Sequence, residues 1–376
     1  MQESLAMDGC FSTIFCSLAI AGLLAAPGSA AAPAATTLRQ PADRLGFRVG
    51  ALIQGKYWHQ DPRYQATLGR EFNLAISMVF MRNTQPEKGQ FNFNGMDRDM
   101  RFAREHNLKL FGAALVYRNQ HSPGWLGFMG PLCGGWTASR LEQVLREHIH
   151  TVVRHGGDDY WAWEVVNEPL QPAKNGCWSR VIGREEVIEK AFRFAREANP
   201  NALLVLNETF GHEGVDRQKT DEFFALVRRL KATGAPIDVV GIQMHLRAHV
   251  LRPSYLEEFK YFLSEARKSS VAVHVTEMDV YQGPNSSFAD PWKKQEEIYY
   301  SVLRACLEDS NCTAFMVWGL HDESTWLKHR NDASLDLPDA KPLLFDNQFA
   351  GKPAYFGVLR ALKEGRRFSP GKKEGN

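Results

Sequence analysis

Eight short apolar runs recur along the chain, each separated from the next by a longer stretch that carries polar residues at helical spacing. The runs cover residues 47–53, 74–80, 108–115, 161–166, 203–206, 239–243, 271–276 and 314–318. They are continuously apolar rather than alternating, as parallel strands covered on both faces must be. Between them the helical period is clear. The segment 184–198 places Val187, Ile188, Ala191, Phe192 and Ala195 on one side. Asn199-Pro200 then ends it, because the residue before a proline avoids the helical region. Segments 254–268 and 292–307 read the same way, and Pro291 suits a first helical turn. Eight strands alternating with helices predict an α/β chain folded as a single-domain (β/α)8, or TIM, barrel. The rival doubly wound sheet lacks its signature, since no Gly-x-Gly-x-x-Gly follows the first run.

A barrel of this kind keeps its chemistry at the C-terminal ends of the strands. The fourth run ends in Val166-Asn167-Glu168-Pro169, the sixth in Gln243-Met244-His245 and the seventh in Thr276-Glu277-Met278-Asp279. The eighth ends in Trp318-Gly319-Leu320-His321-Asp322, with Trp326 shortly after. Two carboxylates on strands four and seven suit glycosidic cleavage. One gives a proton to the leaving oxygen, and the other attacks the anomeric carbon from ~5–5.5 Å across the site in a retaining enzyme. Glu168 is the candidate acid/base and Glu277 the candidate nucleophile. His245 is placed to hydrogen-bond Glu277, Asp279 to orient that imidazole, and the Asn167 amide to bond a sugar hydroxyl.

Each motif alone has a plainer reading. An Asn-Glu before proline makes a turn, Thr-Glu-x-Asp can cap a helix, and Trp318 and Trp326 can be packing residues. Their ordered recurrence at four strand ends favours chemistry. Glu208, after strand five, reads as a hydrogen-bonding residue, and His212 as a loop residue near the mouth, with a substrate contact as the lesser alternative. His148, His150 and His155 read as the solvated face of one helix rather than a metal site, and no cofactor is expected.

Composition narrows the partners. A formal net charge of +2 on 376 residues offers no strong electrostatic case for nucleic acid or an anionic membrane; the expected partner is a carbohydrate substrate, and the chain is expected to be a monomer. Residues 1–30 carry an apolar run followed by Pro27-Gly28-Ser29-Ala30, as in a secretory leader, although Glu3 and Asp8 make its start acidic. A linker over 31–44, the barrel over 45–364 and a basic tail over 365–376 complete the division. Export, to the exterior or a periplasm, would let Cys306 and Cys312 close a short turn as a disulfide. Cys133 and Cys177 lie in two Gly-rich loops, where they either pair or stay free thiols.

Over about residues 45–362 the chain resembles glycoside hydrolase family 10, whose best-known members are endo-β-1,4-xylanases. The likeness runs through Gly89-Gln90-Phe91-Asn92-Phe93, Trp163-Glu164-Val165-Val166-Asn167-Glu168, Gln243-Met244-His245-Leu246, Thr276-Glu277-Met278-Asp279 and Val317-Trp318-Gly319 to Ser324-Thr325-Trp326-Leu327. The resemblance implies Glu168 as acid/base, Glu277 as nucleophile, and Asn167, Gln243, His245 and Trp318 around the reacting sugar. The Cys306–Cys312 loop also resembles one in the family. Two segments depart from it. Family members carry Asn-Glu-Met-Lys-Trp at the end of strand two, where this chain has Ser77-Met78-Val79-Phe80-Met81-Arg82-Asn83. After strand three they carry Gly-His-Thr-Leu-Val-Trp-His, and here stands Gly112-Ala113-Ala114-Leu115-Val116-Tyr117-Arg118. Tyr117 replaces the Trp, and Gln120 keeps its place among the expected substrate contacts. The shared motifs make xylan cleavage, as by an endo-β-1,4-xylanase, the expected activity, while lost hydroxyl-binding groups weaken discrimination for a second sugar. The alternatives are the same mechanism on another substrate, such as a plant saponin or glycoalkaloid in the manner of a tomatinase, or a substituted glycan, and a carbohydrate-binding protein without turnover.

Overall fold

The computed structural model describes residues 36–171, 176–283, 288–328, 337 and 339–366. The leader, the start of the linker and nearly all of the basic tail lie outside them.

Eight parallel strands form the barrel: β1 (Arg48–Leu52), β2 (Leu74–Met78), β3 (Lys109–Ala113), β4 (Tyr160–Asn167), β5 (Leu203–Glu208), β6 (Val239–Ile242), β7 (Ala272–Tyr281) and β8 (Cys312–Val317). Each pairs with its neighbours in chain order, and β8 closes on β1 through Arg48↔Ala314 to Ala51↔Val317. A three-residue strand, His245–Arg247, continues β6 and pairs with the far end of β7. All eight expected runs are strands, shifted by a few residues at their ends. The helix over Arg184–Ala198 has its expected limits, and Pro291 opens the helix Pro291–Leu307.

The apolar runs divide between two cores, which is why they do not alternate. Leu52, Leu74, Ile76, Phe111, Ala162, Val205, Val239 and Met316 fill the barrel interior. Residues of the opposite parity, such as Val49, Ala75, Leu110, Leu204 and Val240, pack under the helices. A buried Leu or Phe contributes roughly 1.5–3 kcal/mol, so the barrel rim is held by a thick support.

Two expectations are corrected. The folded region begins before residue 45: Arg39–Arg44 is helical, with Leu38 and Ala42 fully buried. Its polar composition hid this, because only Leu38, Pro41 and Ala42 face inward. His148 is also not solvated. It is fully buried on the helix Ala138–Gly156, with Nδ1 3.2 Å from Gln85 Oε1, under the segment that follows β2.

Candidate active site

At the C-terminal mouth of the barrel a cleft of about 600 Å³ is lined by residues from the ends of β2 to β8. Strand irregularities aim its carboxylates. The β4–β5 register shifts between Glu164 and Val166, and the β7–β8 register shifts between Val275 and Met278, on either side of Glu277. Bulges of this kind re-aim a side chain at a sheet rim. Past the first shift, the Asn167 N–H donates to Val116 O at 3.0 Å and the Glu168 N–H to Asn207 O at 2.8 Å. The end of β4 is thus tied on both sides.

Glu168 and Glu277 are both buried and both line the cleft. Glu277 Oε1 accepts from Asn207 Nδ2 at 2.8 Å, and Oε2 lies 3.1 Å from His245 Nε2. His245 Nδ1 is 2.9 Å from Asp279 Oδ2, which also accepts from Trp326 Nε1 at 2.7 Å. Burial opposes a charge on His245, but Asp279 and Glu277 outweigh it and push the imidazole up to about 10. Burial lifts the Glu277 carboxyl above its ordinary range. The Glu168 charge adds to that, while His245 and Asn207 pull it back.

Glu168 sits among donors. The Tyr117 hydroxyl reaches Oε1 at 3.0 Å, Gln243 Nε2 reaches Oε1 at 3.3 Å, and Arg118 Nη2 reaches both oxygens at 3.0 and 2.8 Å. Burial and then the Glu168 charge hold the Tyr117 phenol protonated. Gln243 Nε2 also donates to Asn167 Oδ1 at 3.1 Å, which fixes the sense of the Asn167 amide. Trp318 and Trp326 complete the lining on the β8 side.

Not every expected contact reaches the cleft. Gln120 is exposed in the short turn Asn119–His121, and its backbone carbonyl accepts from Arg82. Asp279 is buried behind His245 and does not line the cleft. His212, for which a loop and a place against substrate were both open, lines it and holds Nδ1 2.9 Å from His245 O. Glu208 is spent structurally on the Leu170 and Thr209 N–H groups and on Lys219. Three residues of the site carried no sequence signal beyond their neighbours: Asn207, Arg118 and Glu164. Glu164 is buried with neither carboxyl oxygen hydrogen-bonded to a described residue. Burial, then the charge of Glu277, raises its carboxyl well above the ordinary range. Among the described residues no cluster of His, Cys, Asp and Glu could hold a metal ion.

The family model for glycosyl hydrolase family 10 matches residues 37–361. The chain belongs to that family. As a family 10 member it is a glycosidase. It is 29% identical over 334 residues to Endo-1,4-beta-xylanase B of Thermotoga neapolitana, covering 87% of this chain and 92% of that protein. It is 34% identical over 320 residues to Exoglucanase XynX of Acetivibrio thermocellus, covering 81% of this chain but only 27% of that longer protein. Among solved structures it superposes on xylanase 10B of Thermotoga petrophila RKU-1 in complex with xylobiose, with a TM-score of 0.78 and 30% identity over 88% of this chain and 98% of the other.

Against this family background, the ends of β2 and β3 stand out. Met78, Phe80 and Ala113, in the two segments that depart from the family motifs, line the cleft. Both cysteine pairs, Cys133–Cys177 and Cys306–Cys312, are disulfides. Among the described residues no helix is long and apolar enough to cross a membrane.

Proposed function

We propose that this chain is a retaining glycoside hydrolase that cleaves β-1,4-linked xylan, with Glu168 as acid/base and Glu277 as nucleophile. The observation that carries the reading is the asymmetric support of two buried carboxyls facing one cleft. Glu277 is braced by a charged imidazole and a fixed amide, as a carboxylate that must attack and later leave requires. In the first step Glu277 bonds to the anomeric carbon while Glu168 gives its proton to the glycosidic oxygen, which leaves with the bond pair. In the second, Glu168 takes a proton from water, whose oxygen displaces Glu277 from the same carbon. The amide of Asn167, set by Gln243, donates to the hydroxyl next to the reacting carbon.

Xylan as substrate is supported by the likeness to Endo-1,4-beta-xylanase B of Thermotoga neapolitana and to the Thermotoga petrophila xylanase in complex with xylobiose. Two disulfides support an oxidising destination, secreted or periplasmic. A 2-fluoro xylobioside should label Glu277 covalently, and release of product with inverted anomeric configuration would end the double-displacement reading. One observation favours a second substrate class, a β-glycoside with a bulky apolar portion such as a plant saponin. The cleft wall at Met78, Phe80 and Ala113 is apolar, and Met78 is 37% exposed. Assaying xylan, cello-oligosaccharides and a saponin side by side decides between the two.

A further inference from the structure

The backbone of Glu168 is pinned while one of its partners is not. Its φ of +52° lies in the left-handed region, uncommon for a residue with a side chain, and its N–H is tied to Asn207 O. The four hydrogen bonds described above all donate to its carboxylate, from Tyr117, Gln243 and twice from Arg118. Such contacts favour the ionised form. A hydroxyl can turn to accept a carboxyl proton, as that of Tyr117 can. A guanidinium has no acceptor and does not lose its own proton.

Arg118 is also the looser member of the pair. Its side chain is 24% exposed against 4% for Glu168. It grips through Nη2 alone, while Nε is buried without a partner among the described residues, so the two-nitrogen fork that strengthens such pairs is not formed. Its Cζ lies 4.9 Å from the centre of the Tyr117 ring, a surface along which a flexible guanidinium can slide.

We propose that Arg118 is a retractable clamp on Glu168: in the empty cleft it holds the carboxylate in its proton-accepting form, and the proton destined for the leaving oxygen is loaded only after the guanidinium is displaced. This rests on the assignment of Glu168 as acid/base. Arg118 is then a positioning residue that hinders the first chemical step and favours the second, in which Glu168 must accept a proton. Among the described residues, the other titratable groups around Glu168 are Tyr117 and His121 after β3, Glu164 on β4, Glu208 on β5, His212 after it, Lys219 on the helix Arg217–Ala232, His245 after β6 and Glu277 on β7. Burial, then Arg82 and Arg118, push His121 down to about 4, so it is neutral above that pH.

The test compares pH profiles of kcat/KM, which report the free enzyme, for wild type, Arg118→Gln and Arg118→Lys. An opposite charge this close moves a carboxyl by ~1–3 units, so on an unactivated xylo-oligosaccharide Arg118→Gln should carry the basic limb upward by ~1 unit or more, with Arg118→Lys in between. A dinitrophenyl xylobioside leaves without a proton, so its profile should gain nothing at alkaline pH from either variant. A basic limb that stays put in both variants, or that moves equally on both substrates, overturns the clamp. Azide added to Glu168→Ala tests the underlying assignment separately: formation of a β-glycosyl azide supports it, and no rescue removes it. Rescue with an unmoved limb removes the clamp alone.

Discussion

Asn207 donates to Glu277 Oε1 at 2.8 Å, and its amide faces that way because the Thr276 hydroxyl donates to its Oδ1 at 2.9 Å. A residue of β5 thus orients a residue of β7 across the barrel, in a cleft where water does not compete freely. A hydrogen bond to a charged group contributes ~1.5–3 kcal/mol. Asn207→Ala should therefore lower kcat/KM by ~10–100-fold, at tenfold per ~1.4 kcal/mol. Gly241 reports on the same contact, since a Cβ there would clash with Asn207 Oδ1. Gly241→Ala should turn the amide away and reduce kcat/KM in the same direction. Full activity in both variants would show that the amide does not support Glu277.

His245 gives a prediction with a definite sign. Glu277 must be ionised to attack, and its carboxyl is raised chiefly by burial, with His245 opposing that rise. His245 itself, pushed up to about 10, stays a cation throughout the working range. In His245→Gln the opposition is gone, so the acid limb of kcat/KM should move to higher pH and the profile should narrow from that side. An acid limb that moves to lower pH would contradict the arrangement.

The parts of this molecule that were readable from sequence are those whose physics is local. Strands covered on both faces must be apolar at every position, so all eight announced themselves. Glu168, His245 and Glu277 were readable because each follows such a run and so falls at the barrel mouth. Asn207 was not, because a lone Asn at a strand end has no meaning until the register places it opposite Asn167 on one side and Gly241 on the other. Arg118 and Gln120 exchanged their expected prominence for a similar reason. They sit in the loop after β3, and the turn at Asn119–His121 puts Gln120 in solvent and leaves Arg118 over Glu168. Side-chain direction in a loop depends on what it packs against, which no periodicity records.

The two disulfides should differ in worth. Cys133–Cys177 closes 44 residues and joins the Gly-rich loop after β3 to the helix Gly176–Ile182, whereas Cys306–Cys312 spans 6. Chain-entropy estimates put a loop of the longer kind at ~4 kcal/mol, with less for the shorter. Cys133→Ser with Cys177→Ser should therefore lower the melting temperature more than Cys306→Ser with Cys312→Ser. The reverse order in a thermal denaturation series would show that the short turn is held by something other than the chain constraint. The Cys133–Cys177 pair is also tied to the Asn119 side chain, which accepts from the Cys177 N–H at 3.0 Å. Loss of that bridge should therefore loosen the loop carrying Arg118 and raise KM as well.

Glu164 makes the last prediction, and its sign is opposite to that of a paired surface carboxylate. Its carboxyl is raised well above the unfolded value, first by burial and then by Glu277. The native state therefore holds a proton that the unfolded chain releases near pH ~4.3. Stability linked to this group is fully present below that pH and is lost as pH rises toward the elevated native value. Glu164→Gln keeps the shape and removes the titration. The variant's melting temperature relative to wild type should climb steadily from about pH 4.3 upward, whatever fixed cost the new amide adds. It is the slope of that difference that matters. A flat or falling difference would mean that Glu164 is ionised in the folded protein, with its charge compensated by a neighbour.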